Sequence, residues 1–261
     1  MADPHFYCAI DSSPKLGFRQ YLSRDRFWAM AAIRRPADRP RSVGRPRADR
    51  RRHSRPPQEE ILFQAARLFA RKGITPTTTR EIAAAAGLRQ PSLFHWFANK
   101  DAIVEALLEL SIAPTLAHAE RCFARDERAS LRLYRVLAFD ARELCAAPYD
   151  LSAIWLAPEA RARRFERFWR LRERLFELIH MLIALGVRAG EFRVAEPLLA
   201  AKLLFGMDEG VLSWFDRAGA WSPEQVGDAL AEFALRAFLR DPEQLDAIRR
   251  DAAASRGDDD D

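Results

Sequence analysis

Apolar positions recur at helical spacing through most of the chain, and nowhere do they alternate with the two-residue rhythm of a strand. Between Pro57 and Lys72, the residues Ile61, Leu62, Ala65, Leu68 and Phe69 share one face, which predicts a first helix. Pro57 suits its opening turn, where the amides have no intrahelical partner, and Gly73 suits its end as a residue free to take left-handed backbone. A second helix opens at Thr78, which with Glu81 has the spacing of a capping box. Ile82, Ala83 and Ala86 give it a small buried face, and Gly87 permits a tight turn. A third, short helix covers Gln90–Phe97, with Leu93 and Phe97 facing inward. Asn99 then caps a long fourth helix from Lys100, with a kink expected near Pro114.

The remaining pattern is also helical. One amphipathic segment spans 129–146 and is ended by Pro148. A short helix follows at about 150–157, then a long one at 159–189 closed by Gly190. Two more are expected at about 197–217 and 223–240. Each starts on a proline, and Ser222 with Gln225 forms a second capping box. A short helix can follow Asp241 before the acidic run Asp258–Asp261. The fold class is therefore all-α, with a three-helix N-terminal unit of helix-turn-helix form and a larger helical C-terminal region. The expected boundaries are 1–56 for an N-terminal extension and arm, 57–103 for the helix-turn-helix domain, 104–241 for the larger domain and 242–261 for a tail.

Charge changes this picture at one place. Arg34 to Arg55 hold ten Arg against two Asp, a local charge of +8 in a chain of net +5, so the rest is slightly acidic. Prolines interrupt these arginines, which predicts an extended arm over 34–57 suited to a polyanion. Residues 1–33 are aromatic-rich without clean periodicity, and Met30 is an alternative start. The cysteines are Cys8, Cys122 and Cys145, an odd count without Cys-x-x-Cys spacing, so a disulfide framework or zinc site is not expected. No uninterrupted apolar run reaches the ~18 residues of a bilayer span, and no leader pattern is read at the N-terminus. The expectation is a soluble, cytoplasmic protein, nucleoid-associated through DNA.

A helix-turn-helix reads DNA by entering the major groove N-terminus first, so that its early side chains meet base edges while neighbours grip phosphate. Here the early positions are Arg89, Gln90 and Ser92. Arg can bond guanine bidentately and Gln can bond adenine. Thr79, His95 and Lys100 are placed for phosphate, near helix starts whose free amides favour anions. A plain helical hairpin with a solvated face would share the helix–Gly–helix pattern. A preceding helix, the alanine contact face and the upstream basic arm favour DNA.

The stretch resembles the DNA-binding domain of the TetR family of bacterial regulators. The matching residues are Ile61-Leu62, Ala65-Ala66, Leu68-Phe69, Gly73, Thr77-Thr78, Glu81-Ile82-Ala83, Ala86-Gly87, Ser92 to Phe97 and Asn99-Lys100. They cover about residues 57–105. Beyond them the likeness is one of layout, with Ala-Gly-Glu-Phe at 189–192 and two terminal helices. The resemblance implies a homodimer whose larger domain binds a small-molecule effector and dimerises, and which releases DNA when that effector binds. It places base contacts at Arg80, Arg89, Gln90 and Ser92, and phosphate contacts at Thr79, Phe94, His95 and Lys100. Phe94 departs from the usual Tyr and lacks its hydroxyl. It also implies pairing through the helices at about 197–217 and 223–240 as a four-helix bundle. In the arm, Gly44-Arg45-Pro46-Arg47 resembles an AT-hook core, with Arg45 and Arg47 as minor-groove contacts; a non-specific phosphate binder is the equal alternative.

The helix at 159–189 carries an aromatic stripe with Arg172 in its middle. A buried Arg needs a partner, so Arg172 is expected to snorkel to solvent or to pair with an acid such as Glu143 or Asp208; the sharper alternative is that it receives an anionic effector. Tyr149, Trp155, Arg172, Phe176 and Met207 are the candidate effector residues, against plain core filling. No cofactor, no metal cluster and no catalytic pair is read from the sequence, which argues against an enzyme. The expected function is a ligand-responsive repressor that binds double-stranded DNA. The alternatives are an architectural or cell-division DNA-binding factor without an inducer, and a helical-pocket lipid carrier or enzyme.

Overall fold

The computed structural model describes residues 55–147, 151–155, 157–161 and 164–254. The arm, with Arg45 and Arg47, and Tyr149 lie outside the described residues. The first four helices are α1 (Pro57–Lys72), α2 (Thr79–Ala85), α3 (Gln90–Leu93) and α4 (Lys100–Ala124). They are followed by α5 (Ala129–Ala146), α6 (Ser152–Trp155), α7 (Glu166–Arg188), α8 (Pro197–Trp214), α9 (Pro223–Phe238) and α10 (Leu245–Ala254). Among the described residues the only extended pairing is a single bridge between Phe192 and Leu239. It ties the end of α7 to the end of α9.

α1 to α3 close on a core of Ile61, Leu62, Phe69, Ile82, Leu93 and Phe97, joined by Ile103 and Val104 from α4. α4 serves two regions, packing on α1 with its start and on α5 and α7 beyond. It is long and apolar enough to cross a membrane, yet 56% of its most apolar window is buried inside the fold. It runs through Pro114 as one helix. α5 is central to the larger region, in contact with α4, α7, α8, α9 and α10. Gly227 allows α9 to approach closely, because a Cβ there would stand 2.3 Å from the Ala138 carbonyl oxygen.

Three local expectations need correction. α3 ends at Leu93 rather than Phe97, and residues 94–96 continue as turns. Trp96 N–H donates to the Leu93 carbonyl three residues back, so the helix tightens as it ends. The long helix expected at 159–189 starts only at Glu166, because Pro158–Arg161 form a separate 3-10 turn. The Thr75 hydroxyl donates to Glu159 in that turn, so docking against the N-terminal helices competes with helix propagation. Gly73 does take positive φ, but at φ 86 and ψ 165 it is extended rather than left-handed helical.

Candidate nucleic-acid interface and regulatory cavity

The turn between α2 and α3 is built from local signals. The Thr78 side chain accepts from the Glu81 amide while Glu81 reaches back to the Thr78 amide. Glu81 is also held by Lys72 and by the Thr78 hydroxyl, and these bonds lower its pKa to about 2. At the other end of α2, Leu88 N–H donates to the Ala83 carbonyl at 2.8 Å and Gly87 N–H to Ala84 at 3.1 Å, with Gly87 at φ 65. This is the double bond pattern of a Schellman ending, and its positive φ favours glycine. It turns the chain so that α3 presents its start outward.

Arg80, Arg89, His95 and Phe94 are exposed, the last at 45%. Thr79, Gln90 and Ser92 are half-buried beside them. Gln90 Nε2 donates to Thr79 Oγ1 at 2.9 Å, so one expected base reader is braced by one expected phosphate contact. The helix-turn-helix therefore brings Thr79 and Gln90 into direct contact and leaves Arg89 free to swing. Trp96, expected on the outer side of this segment, is exposed at 47%. Leu93 and Phe97 fill the inward face, which leaves the indole on the outer side.

Lys100 differs from expectation. Its ammonium donates to the carbonyls of Ile74 (2.7 Å), Thr75 (3.0 Å) and Thr77 (2.9 Å). Three N–H donors meet three acceptors, so Lys100 clamps the loop between α1 and α2 and has no donor left for phosphate in this arrangement.

In the larger region a cavity of about 350 Å³ is lined by Leu108, Trp155, Ala160, Phe168, Trp169, Arg172 and Glu209. The Trp155 indole N–H donates to Ser111 Oγ at 3.0 Å, and its ring meets Phe168 edge-on. The partner of Arg172 is Glu209, not Glu143 or Asp208: Nε and Nη2 donate to the two carboxylate oxygens at 2.6 and 2.8 Å. The one-residue difference from Asp208 is a helical rotation, which turns Asp208 instead into the core toward Asp140. Of the expected effector residues, Trp155 and Arg172 line the cavity. Phe176 does not; it packs edge-on against Phe205. Met207 is half-buried and also lies off the cavity lining.

Asp140 and Asp208 are the least expected feature. Both are fully buried, and burial is the main cause that raises the pKa of each. Thr115 Oγ1 donates to Asp140 at 2.7 Å, whereas neither oxygen of Asp208 has a hydrogen bond by strict geometry. Elsewhere His118 stacks on Phe139, and burial drives its pKa down to about 3, so it is a neutral core residue. Among the described residues no group of three His, Cys, Asp or Glu side chains is placed to hold a metal.

α8 and α9 each have a buried and an uncovered face. Leu204, Val211, Val226 and Leu230 are buried within the chain. Leu199, Leu203, Trp214 and Phe233 are 55%, 68%, 54% and 66% exposed. Gly206 and Gly210 lie between them at helical spacing, with nothing within 4 Å of a Cβ built on either.

Comparison with known proteins accounts for both regions. Residues 61–107 match the profile for "Bacterial regulatory proteins, tetR family", and residues 152–238 match "Tetracyclin repressor-like, C-terminal domain". The HTH-type transcriptional repressor KstR2 of Rhodococcus jostii is 32% identical over 139 residues, 51% of this chain and 67% of that protein. Other curated relatives match over 24–29% of their own length. The crystal structure of Mycobacterium smegmatis AmtR superposes with a TM-score of 0.67 at 34% identity, covering 78% of this chain and 97% of that one. AibR, solved with isovaleryl coenzyme A and operator DNA, shares the fold with a TM-score of 0.57 at 20% identity, covering 68% and 97%. These are regulators rather than enzymes, and the chain belongs to the TetR family of DNA-binding transcriptional regulators.

Proposed function

We propose that this protein is a cytoplasmic, homodimeric repressor, released from a palindromic operator when a small molecule enters the cavity beside Arg172. The observation that carries the reading is the pairing of an uncovered α3 start with a cavity whose wall reaches the DNA-binding helices. Trp155 and Ala160 line the cavity, and Glu159, next to Ala160, accepts from Thr75. Thr75 in turn gives its carbonyl to Lys100. Arg164 extends the same border with an ion pair to Asp101 at 2.8 Å. A ligand that moves the Trp155–Ala160 wall acts on this border and thus biases the two recognition helices between matched and mismatched spacing.

On this reading residues 57–103 form the DNA-binding domain and 104–241 the effector and dimer domain. Arg80, Arg89, Gln90 and Ser92 meet bases; Thr79, Phe94 and His95 meet the backbone; and Arg45 and Arg47 extend the grip into the minor groove. Phe94 acts by packing, since it has no hydroxyl to donate. Leu199, Leu203, Trp214 and Phe233 meet their copies across a two-fold axis, where Gly206 and Gly210 let the helices approach. Two half-sites then lie ~34–36 Å apart, or a multiple of that.

Selection of bound fragments from a random duplex pool tests this directly. An inverted repeat is expected, bound by a dimer in sedimentation. A monomer, or a pool that yields no enriched sequence, would sink the reading. Small-molecule control is tested by adding metabolite fractions to the complex and following release.

A further inference from the structure

The cavity contains its own charge rule. Its lining offers one cation, Arg172, and one anion, Glu209, and the two are already joined by a bidentate pair. That pair uses the Nε–Nη2 edge and neutralises the guanidinium, so a ligand oxygen at the remaining Nη1 meets no net positive charge. The remaining wall is Trp155, Phe168, Trp169, Leu108 and Ala160, so the site is aromatic with a charge-neutral polar floor.

What lies behind that floor is acidic. Glu209 follows Asp208 in α8, and Asp208 lies buried against Asp140 of α5, with Thr115 of α4 bonded to Asp140. The charge of Glu209 further raises the pKa of both buried acids, and Glu143 adds to the effect on Asp140. A ligand carboxylate at Arg172 would lie beside Glu209 or displace it, adding a negative charge to an already acidic surround. An ammonium ligand fares no better. The one carboxylate of the lining is already paired, and the Arg172 guanidinium carbon lies over the lining ring of Trp169 at 5.5 Å, so an ammonium would meet a cation there and no free anion.

We propose that the cavity selects an uncharged, ring-containing ligand, held between Trp155, Phe168 and Trp169, with a carbonyl or hydroxyl oxygen on the free Nη1 of Arg172. Glu209 is the gatekeeper: by neutralising the guanidinium and adding its own negative charge beside Nη1, it disfavours carboxylates. The volume sets the size. At about 350 Å³ the site lies at the small end of ligand pockets, enough for a fused two-ring body and too small for a nucleotide-bearing thioester to enter whole. The inference rests on the cavity being the effector site.

Three probes on one skeleton test the rule: 2-naphthaleneacetamide, 2-naphthaleneacetate and 2-(2-naphthyl)ethylamine. Each is titrated by calorimetry into the full-length wild-type protein and into Glu209→Gln. The amide is expected to bind the wild type about tenfold or more tightly than either charged probe. Glu209→Gln keeps the shape but frees the guanidinium charge, so the acetate is expected to gain about tenfold. Acetate binding that emerges only in Glu209→Gln supports the rule whatever the amide does. Acetate or amine binding the wild type as tightly as the amide overturns it and leaves the cavity as a ligand site. Absence of binding by all three probes to both proteins overturns the cavity reading itself.

Discussion

The helix-turn-helix and the larger helical region solve the same packing problem with different tolerance for buried polarity. In the helix-turn-helix unit the buried polar groups are satisfied: Glu60 accepts from Gln64, Thr77 Oγ1 donates to the Gly73 carbonyl, and the Lys100 ammonium at the start of α4 meets three carbonyls. Around α5, α7 and α8 the core holds two facing aspartates, one without strict hydrogen bonds, and a cavity beside them. A rigid reader needs one geometry, whereas a region that responds to a ligand needs a second arrangement near in free energy. Buried charge and unfilled volume both lower the stability of the first arrangement, and they are concentrated in the larger region.

The largest expected effect tests the rigid half. Leu93→Ala removes a fully buried side chain at the junction of α2, α3 and α4. It should cost about 2–5 kcal/mol, read as a lower urea midpoint, and DNA binding should fall with it. A loss below the range for a surface change would show that α3 is not packed as described.

The next test removes the tension in the other half. Asp208→Asn should stabilise the protein at neutral pH by about 1–3 kcal/mol, since an amide carries no charge to bury. The sign follows from the direction of the shift. Burial raises the folded-state pKa of Asp208, so its adverse contribution is absent below the unfolded pKa. It grows as pH rises through the interval between the unfolded and folded values. Wild type should therefore lose stability relative to Asp208→Asn between acid and neutral pH. Parallel urea midpoints across that range would contradict the buried-acid account. Cooperative unfolding that separates into two transitions would identify which half had gained.

Lys100 sharpens the boundary between reading and support. Lys100→Met removes three hydrogen bonds to the loop at Ile74, Thr75 and Thr77. A clamp predicts lower thermal stability and weaker DNA binding with the salt dependence unchanged. A phosphate contact predicts the salt slope falling by about 1 with stability intact. Arg89→Ala is the control: an exposed residue at the start of α3, it should cost about 1–3 kcal/mol on the specific site only.

The helices were legible where local signals decide them. Capping boxes at Thr78 and Ser222, prolines at Pro57, Pro197 and Pro223, and glycines at Gly87 and Gly190 fix ends through bonds within a few residues. Those ends agree with expectation. The misses are long-range. The Glu159–Thr75 bond, which spans 84 residues, accompanies the 3-10 turn where one long helix was expected. Arg172 was placed on the right face, but its partner depended on the rotation of α8 and was off by one residue. The clamp by Lys100 needed the path of the α1–α2 loop, which spacing does not give. Phe176 and Met207 show the same limit, since an apolar stripe does not reveal which of its members border a void.

The smallest effect offers the cleanest comparison, because one motif occurs in both halves. Thr78 caps α2 and Ser222 caps α9, each with a reciprocal bond from the third helical residue. Thr78→Ala and Ser222→Ala remove the same kind of acceptor and should each cost about 1 kcal/mol. Their consequences should differ. Glu81 has its pKa lowered to about 2 by Lys72 and Thr78, so the contribution of this charged cluster is present at neutral pH and fades as pH falls toward that value. The Ser222 box is closed by neutral Gln225 and has no such acid limb. Loss of the Thr78 cap should loosen the start of α2 and weaken DNA binding. Loss of the Ser222 cap should loosen α9 and raise the dimer dissociation constant. If both variants weakened DNA binding through dissociation alone, raising the protein concentration would restore both equally. The division of labour between a rigid reader and a yielding regulatory half would then be wrong.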